Sequence, residues 1–204
     1  MDFLNALKEL RQNEKRKFDQ TVDLIVNLKN YDLRTKPINL FIEMPHMFKE
    51  NKICAFLEGD SAEVDRVIGK LEIPKINDKK DIKKIGLGYD FFIASMKMMP
   101  TIATTFGKIL GPLGKMPNPK YGGVIMKEEP AIIKSVVAKL KRMINIRPKE
   151  KSIKVAVGKE SMKDEEINAN INAVYNAMMT AFTKENVKSV MIKLTMSKPV
   201  KIKL

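Results

Sequence analysis

The chain of 204 residues contains one cysteine, one histidine and no tryptophan. A lone cysteine, Cys54, cannot form an internal disulfide, so the chain reads as a protein of a reducing compartment. Together with the single histidine, His46, it also falls short of a zinc site, which needs several such ligands at set spacing. No metal and no cofactor are expected. Nothing approaches the roughly 20 apolar residues of a membrane span. The opening MDFLNALKELRQNEKRKF has no apolar stretch of signal-peptide length. The expectation is a cytoplasmic protein without a membrane partner.

Charge of one sign is in short supply: 24 Asp+Glu face 38 Lys+Arg, a net charge of +14. Such an excess favours a polyanionic partner, nucleic acid before an anionic membrane surface, with solubility alone as the plainer reading. Catalytic groups are scarce. His46 follows Pro45 at a strand end and reads as a turn or packing residue rather than a base. Cys54 lies inside the apolar run ICAFL and reads as a buried thiol. No catalytic residue is expected.

At 44% hydrophobic, the chain can bury one large core or two small ones. KFDQTVDLIVNL (17–28) puts Phe18, Val22, Leu24, Val26 and Leu28 on one parity, which predicts a half-buried strand. PINLFIEM (37–44) is a second strand candidate. The texture then changes to buried runs alternating with helical patterns: a strand over 53–60, a helix over 61–71 opened by Ser61, and a strand over 89–95. Helices over roughly 101–110 and 130–143 follow, the second opened by Pro130. From about residue 150 the alternation returns in SIKVAVGK (152–159). A helix with Ile167, Ile171, Val174, Met178 and Phe182 on one stripe follows, and strands at 189–196 and 199–204 finish the chain.

The expected fold is therefore mixed α+β and α/β in two domains. Residues 1–47 and 149–204 form an α+β sandwich, and residues 48–148 form an inserted Rossmann-like α/β domain. Two chain crossings between such domains can serve as a hinge.

The stretch GPLGKMPNPKYGG (111–123) holds four of the ten glycines and three of the ten prolines. It is not a phosphate loop: Ile109 stands where the first glycine belongs and Met116 where Ser or Thr should hold magnesium. GLG at 86–88 likewise lacks the third glycine of a dinucleotide fingerprint. The residues leave two readings open, a shaped surface for a nucleic-acid backbone or a helix exit into the next strand.

LGPLGKMPNPKYGG resembles the signature of the L-one family of large-ribosomal-subunit proteins, carried here by Gly111, Pro112, Gly114, Lys115, Met116, Pro117, Pro119 and Lys120. KFDQTVDLIVNL and SVMIKLTMSKPVKI resemble other segments of that family. MPTIATTFGKILGPLGKMP and the short C-terminus are similar to its archaeal branch. Leu113 and Ser197 depart from the family pattern, which usually has arginine and glycine there.

The resemblance implies a non-enzymatic protein of the large ribosomal subunit, monomeric when free. It would bind large-subunit rRNA at the mobile stalk beside the tRNA exit site, with tRNA as a further partner. It would also bind its own mRNA as a translational repressor. By segment match the RNA surface would comprise Lys17, Phe18, Thr21, Lys154, Gly158, Lys159, Ser189, Thr195, Met196 and Ser197. Small hydroxyl side chains suit the shallow minor groove of double-stranded RNA, and lysines suit its phosphates. A non-specific basic nucleic-acid binder and an α/β enzyme acting on a phosphorylated substrate are the alternatives.

Overall fold

The computed structural model describes residues 3–12, 16–32, 38–76 and 78–202. In chain order the elements are α1 (Phe3–Arg11), β1 (Thr21–Leu28), β2 (Leu40–Glu43), β3 (Ile53–Phe56), β4 (Arg66–Ile68) and α2 (Lys79–Gly88). Then come β5 (Phe91–Ser95), α3 (Met99–Thr105), α4 (Gly107–Leu113), β6 (Val124–Ile125) and α5 (Pro130–Lys141). The last five are β7 (Met143–Ile146), β8 (Ser152–Lys159), α6 (Asp164–Phe182), β9 (Val187–Leu194) and β10 (Val200–Ile202). The fold is mixed α/β, and the chain divides into two compact units, Met1–Phe48 with Ile144–Leu204, and Lys49–Met143.

The first unit is built on an antiparallel sheet of order β10-β9-β1-β8. One face is apolar because alternate residues of each strand point the same way: Val22, Leu24, Val26 and Leu28 of β1 meet Ile153, Val155 and Val157 of β8 and Val190, Ile192 and Leu194 of β9. Helices α1 and α6 cover this face. The stripe Ile167, Ile171, Val174, Met178 and Phe182, read from spacing, is buried along its length. Glu166 reaches back to accept from the Lys163 N–H (3.4 Å), and the acidic first turn Asp164–Glu166 complements the helix N-terminus.

Asn170 interrupts the stripe and is fully buried. It accepts from the His46 N–H and donates to the carbonyls of His46 and Val157, each at 2.9 Å. One side chain thus ties the turn after β2 to β8. The His46 ring itself is exposed. A two-stranded sheet of β2 and β7 completes this unit. Phe48 and residues 144–148 thus group with the chain ends, where the sequence pattern had them in the insertion.

The second unit holds a parallel sheet of order β4-β3-β5-β6. β3 and β5 are buried at every position, as uninterrupted apolar runs covered on both faces must be. Cys54 sits in this core, and burial pushes its thiol up to about 12, which makes it inert as a nucleophile.

The helix expected over 61–71 is not formed. Turns lead instead into β4, whose β-branched Val67 and Ile68 pair in parallel with β3. Asp65 explains the choice: its carboxylate accepts from the Ile53 N–H (2.7 Å) and its own N–H donates to the Ile53 carbonyl (3.1 Å), which docks the segment as a strand. The strand expected over 53–60 stops at Phe56. The helix expected near 101–110 is two short helices meeting at Phe106, a fully buried ring. Of the last strand, residues 203–204 lie outside the described residues, as does residue 37 at the start of the second candidate.

Candidate nucleic-acid interface

The face of the β10-β9-β1-β8 sheet opposite its helices carries the other parity of each strand. Register gives it four rows. Asn27 lies between Ser189 and Ser152, Ile25 between Met191 and Lys154, Asp23 between Lys193 and Ala156, and Thr21 pairs with Lys159. Lys201 extends the second row beyond Met191. Ile25 is buried yet lies outside the core cluster. The four strands contain five lysines and one acid.

At the Thr21 end, three turns converge. Gln20, almost fully buried, is their knot. Its side-chain amide donates to Glu160 Oε2 (3.1 Å), its Oε1 accepts from the Met196 N–H (3.1 Å), and its carbonyl accepts from the Glu160 N–H (2.7 Å). The Thr21 N–H donates to Thr195 Oγ1 at 3.0 Å. Asp19 accepts from both the N–H (3.0 Å) and the hydroxyl (2.8 Å) of Ser161, with Lys159 Nζ 3.9 Å away. Ser197 Oγ accepts from the Leu194 N–H (2.8 Å), so serine closes the turn where the family pattern has glycine. On this rigid base Phe18 and Met196 stand out into solvent, 52% and 66% exposed.

Lys17, Phe18, Thr21, Lys159, Thr195, Met196 and Ser197 are thus gathered at one end of the open face. Lys154 lies at its middle, and Ser189 lies near its far end, accepting from Asn27 Nδ2 (3.0 Å). Gly158 differs. A β-carbon there would point inward, 3.0 Å from Ile167 Cγ1, so this glycine lets α6 approach β8 and reaches the surface only through its backbone.

Phe18 sits on the apolar parity in sequence, yet β1 begins only at Thr21, and strand alternation does not govern a bend. Gln20, Asp23, Lys193 and Lys201 were missed. Asp23 and Lys193 alternate with core residues, which was the available signal. Gln20 gave none, because its burial is created by turns distant in sequence.

The Gly/Pro segment is a brace within the second unit. Gly114 takes the left-handed conformation (φ 72°) that ends α4. Lys115 Nζ then donates to the carbonyls of Gly86 (3.0 Å) and Tyr89 (2.6 Å), capping α2; burial lowers its pKa. Pro117 is buried, Met116 packs on the core, and Asn118 caps the turn Pro119–Tyr121 through the Lys120 N–H (2.9 Å). The Tyr121 hydroxyl directs its one hydrogen between Phe92 O (3.0 Å) and Met116 O (3.2 Å). Of the two readings the residues left open, a helix exit into the next strand describes this geometry. Pro112 and Lys120 face solvent, and Gly111 is exposed. Among the described residues no group of three or more His, Cys, Asp or Glu is placed to hold a metal ion, and no helix is long and apolar enough to cross a membrane.

The family model described as the ribosomal protein L1p/L10e family matches residues 10–198. The chain belongs to that family. Relatives are named large ribosomal subunit protein uL1. That of Pyrobaculum calidifontis is 41% identical, covering 95% of this chain and 89% of its own. That of Methanothermococcus thermolithotrophicus is 38% identical, covering 98% and 97%. The Methanococcus voltae relative is 39% identical, covering 95% and 93%. The L1p/L10e match reaches into both units, contains the segments at 17–28 and 110–123 and all but the last four residues of that at 189–202, and places the chain in a family of ribosomal proteins rather than of enzymes.

Proposed function

We propose that this L1p/L10e protein is a structural component of the large ribosomal subunit that binds a structured segment of large-subunit rRNA through the open sheet face and the three turns at its Thr21 end. The observation that carries this reading is the convergence of Lys17, Phe18, Thr21, Lys159, Thr195, Met196 and Ser197, from three separate stretches of chain, on one pre-organised surface knotted by Gln20. Pre-organisation lowers the entropic cost of binding. The Thr21 hydroxyl makes no hydrogen bond among the described residues and can meet a 2′-hydroxyl. That of Thr195 is already turned to the Thr21 backbone and positions the turn instead.

On the same reading the protein sits at the mobile stalk beside the tRNA exit site, where tRNA is a further contact. It represses translation by binding its own mRNA. One surface serving both rRNA and mRNA makes the two competitors, which suits feedback by unassembled protein.

Gel-shift competition tests the reading. Structured large-subunit rRNA is expected to compete far better than random duplex RNA, and equal competition identifies a non-specific basic binder. Affinity for the rRNA is expected to fall with salt by about 0.7–0.9 log units per log unit of salt for each neutralised phosphate. Lys154→Ala is expected to lower that slope by about one unit without changing the melting temperature.

A further inference from the structure

Asp23 is the one acidic residue in the four strands of the first unit's main sheet, among five lysines. It lies on the open face, half-buried, with Lys193 across from it on one side and Ala156 on the other. Its carboxylate makes no hydrogen bond and no ion pair within 4.0 Å among the described residues. A partly desolvated carboxylate without a hydrogen-bond donor is costly, and the Lys193 charge across the strand offsets that burial only in part, so such a group at the centre of a binding face points to a donor supplied from outside. The strand geometry is also special here: the register between β1 and β8 shifts between Val22 and Asp23, a bulge that re-aims side chains locally.

We infer that Asp23 is a specificity residue whose carboxylate accepts a hydrogen bond from a neutral donor on the minor-groove edge of structured RNA, while the lysines around it neutralise phosphates. This rests on the rRNA-binding role proposed above and deepens it. Phosphate is excluded as the partner by charge. The shallow minor groove offers two neutral donors, the 2′-hydroxyl and the exocyclic amine of guanine. Lys193, Lys154 and Lys201 flank Asp23 in the same and the next row, so the groove edge would cross the sheet centre with its backbones over the lysines. A carboxylate so placed lowers affinity for any duplex that fails to present the donor, which is how a repulsive element yields discrimination.

The test compares wild type, Asp23→Asn and Asp23→Ala in titrations with the structured rRNA segment, the same segment with inosine for guanosine or with single 2′-deoxy substitutions, and random duplex DNA. Both variants are expected to melt at or above the wild-type temperature, because a partly desolvated charge is removed. Asp23→Ala is expected to bind the rRNA segment about tenfold more weakly, the size of one good base or sugar contact, and Asp23→Asn, which keeps an acceptor oxygen, to lose less. Binding to random duplex DNA is expected to hold or tighten, because a charge that repels phosphate is gone. The substitution that weakens wild type but not Asp23→Ala identifies which donor is read. Variants that bind the rRNA segment as wild type does, with unchanged preference over DNA, overturn the role of Asp23 alone. A wild-type protein that shows no preference for the rRNA segment overturns the parent reading, and this inference with it.

Discussion

Gly123→Ala is expected to destabilise the second unit by about 3 kcal/mol, the upper end of what overpacking does to a core. A β-carbon at 123 would overlap Tyr121 Cε2 and lie 2.7 Å from its Cζ. The ring cannot step aside cheaply. It is 2% exposed, stacks edge-on against Phe91, and is pinned by hydrogen bonds to the carbonyls of Phe92 and Met116. Gly122 supplies the contrast: space around it is open, but its φ of 80° is left-handed. Gly122→Ala is therefore expected to cost only about 1–2 kcal/mol, through the backbone. Paired thermal melts check both values. Because neither glycine lies in the unit that carries the proposed interface, the folded variants are expected to bind rRNA as wild type does.

The second large effect falls in the first unit. Asn170→Ala is expected to cost about 3 kcal/mol, because it strips partners from the His46 N–H, the His46 carbonyl and the Val157 carbonyl at once. Asn170→Asp retains the acceptor for the His46 N–H but loses both donors and places a carboxylate in the core, so it is expected to be no better tolerated. Here RNA affinity is expected to fall as well, since Val157 belongs to β8, the strand that carries Lys154 and Lys159. Urea melts followed by rRNA titration in the pre-transition region separate the two consequences. A variant as stable as wild type would mean that the buried amide contributes little beyond filling space.

What could be read from the residues, and what could not, follows the range of the interactions involved. Strands β1, β8 and β9 and the stripe of α6 were legible because one side chain in two, or one in three to four, had to be apolar to face a core. Segment 61–71 was misread because Val64, Val67 and Ile68 fit helical spacing as well as a short strand; the decision came from Asp65 docking on Ile53, a tertiary contact. α2 went unnoticed, as its lysines left only Ile82 and Ile85 to mark a buried face beside the Asp78 N-cap. The interface was legible only in part. Its residues lie in three segments, and nothing local to Gln20 announces that it joins them. Lys115 shows the reverse error available to a sequence reader: a lysine in a Gly-rich loop invites a phosphate, yet here it caps the end of a helix.

Backbone amide chemical-shift mapping of the whole chain during titration with the structured rRNA segment tests the central claim most directly. The account predicts that perturbations concentrate at residues 17–25, 152–161 and 189–201, with Phe18, Thr21, Asp23 and Met196 among the largest, while residues 111–123 stay unchanged. Perturbations centred on 111–123, with the open sheet face silent, would contradict it and move the RNA surface to the Gly/Pro brace.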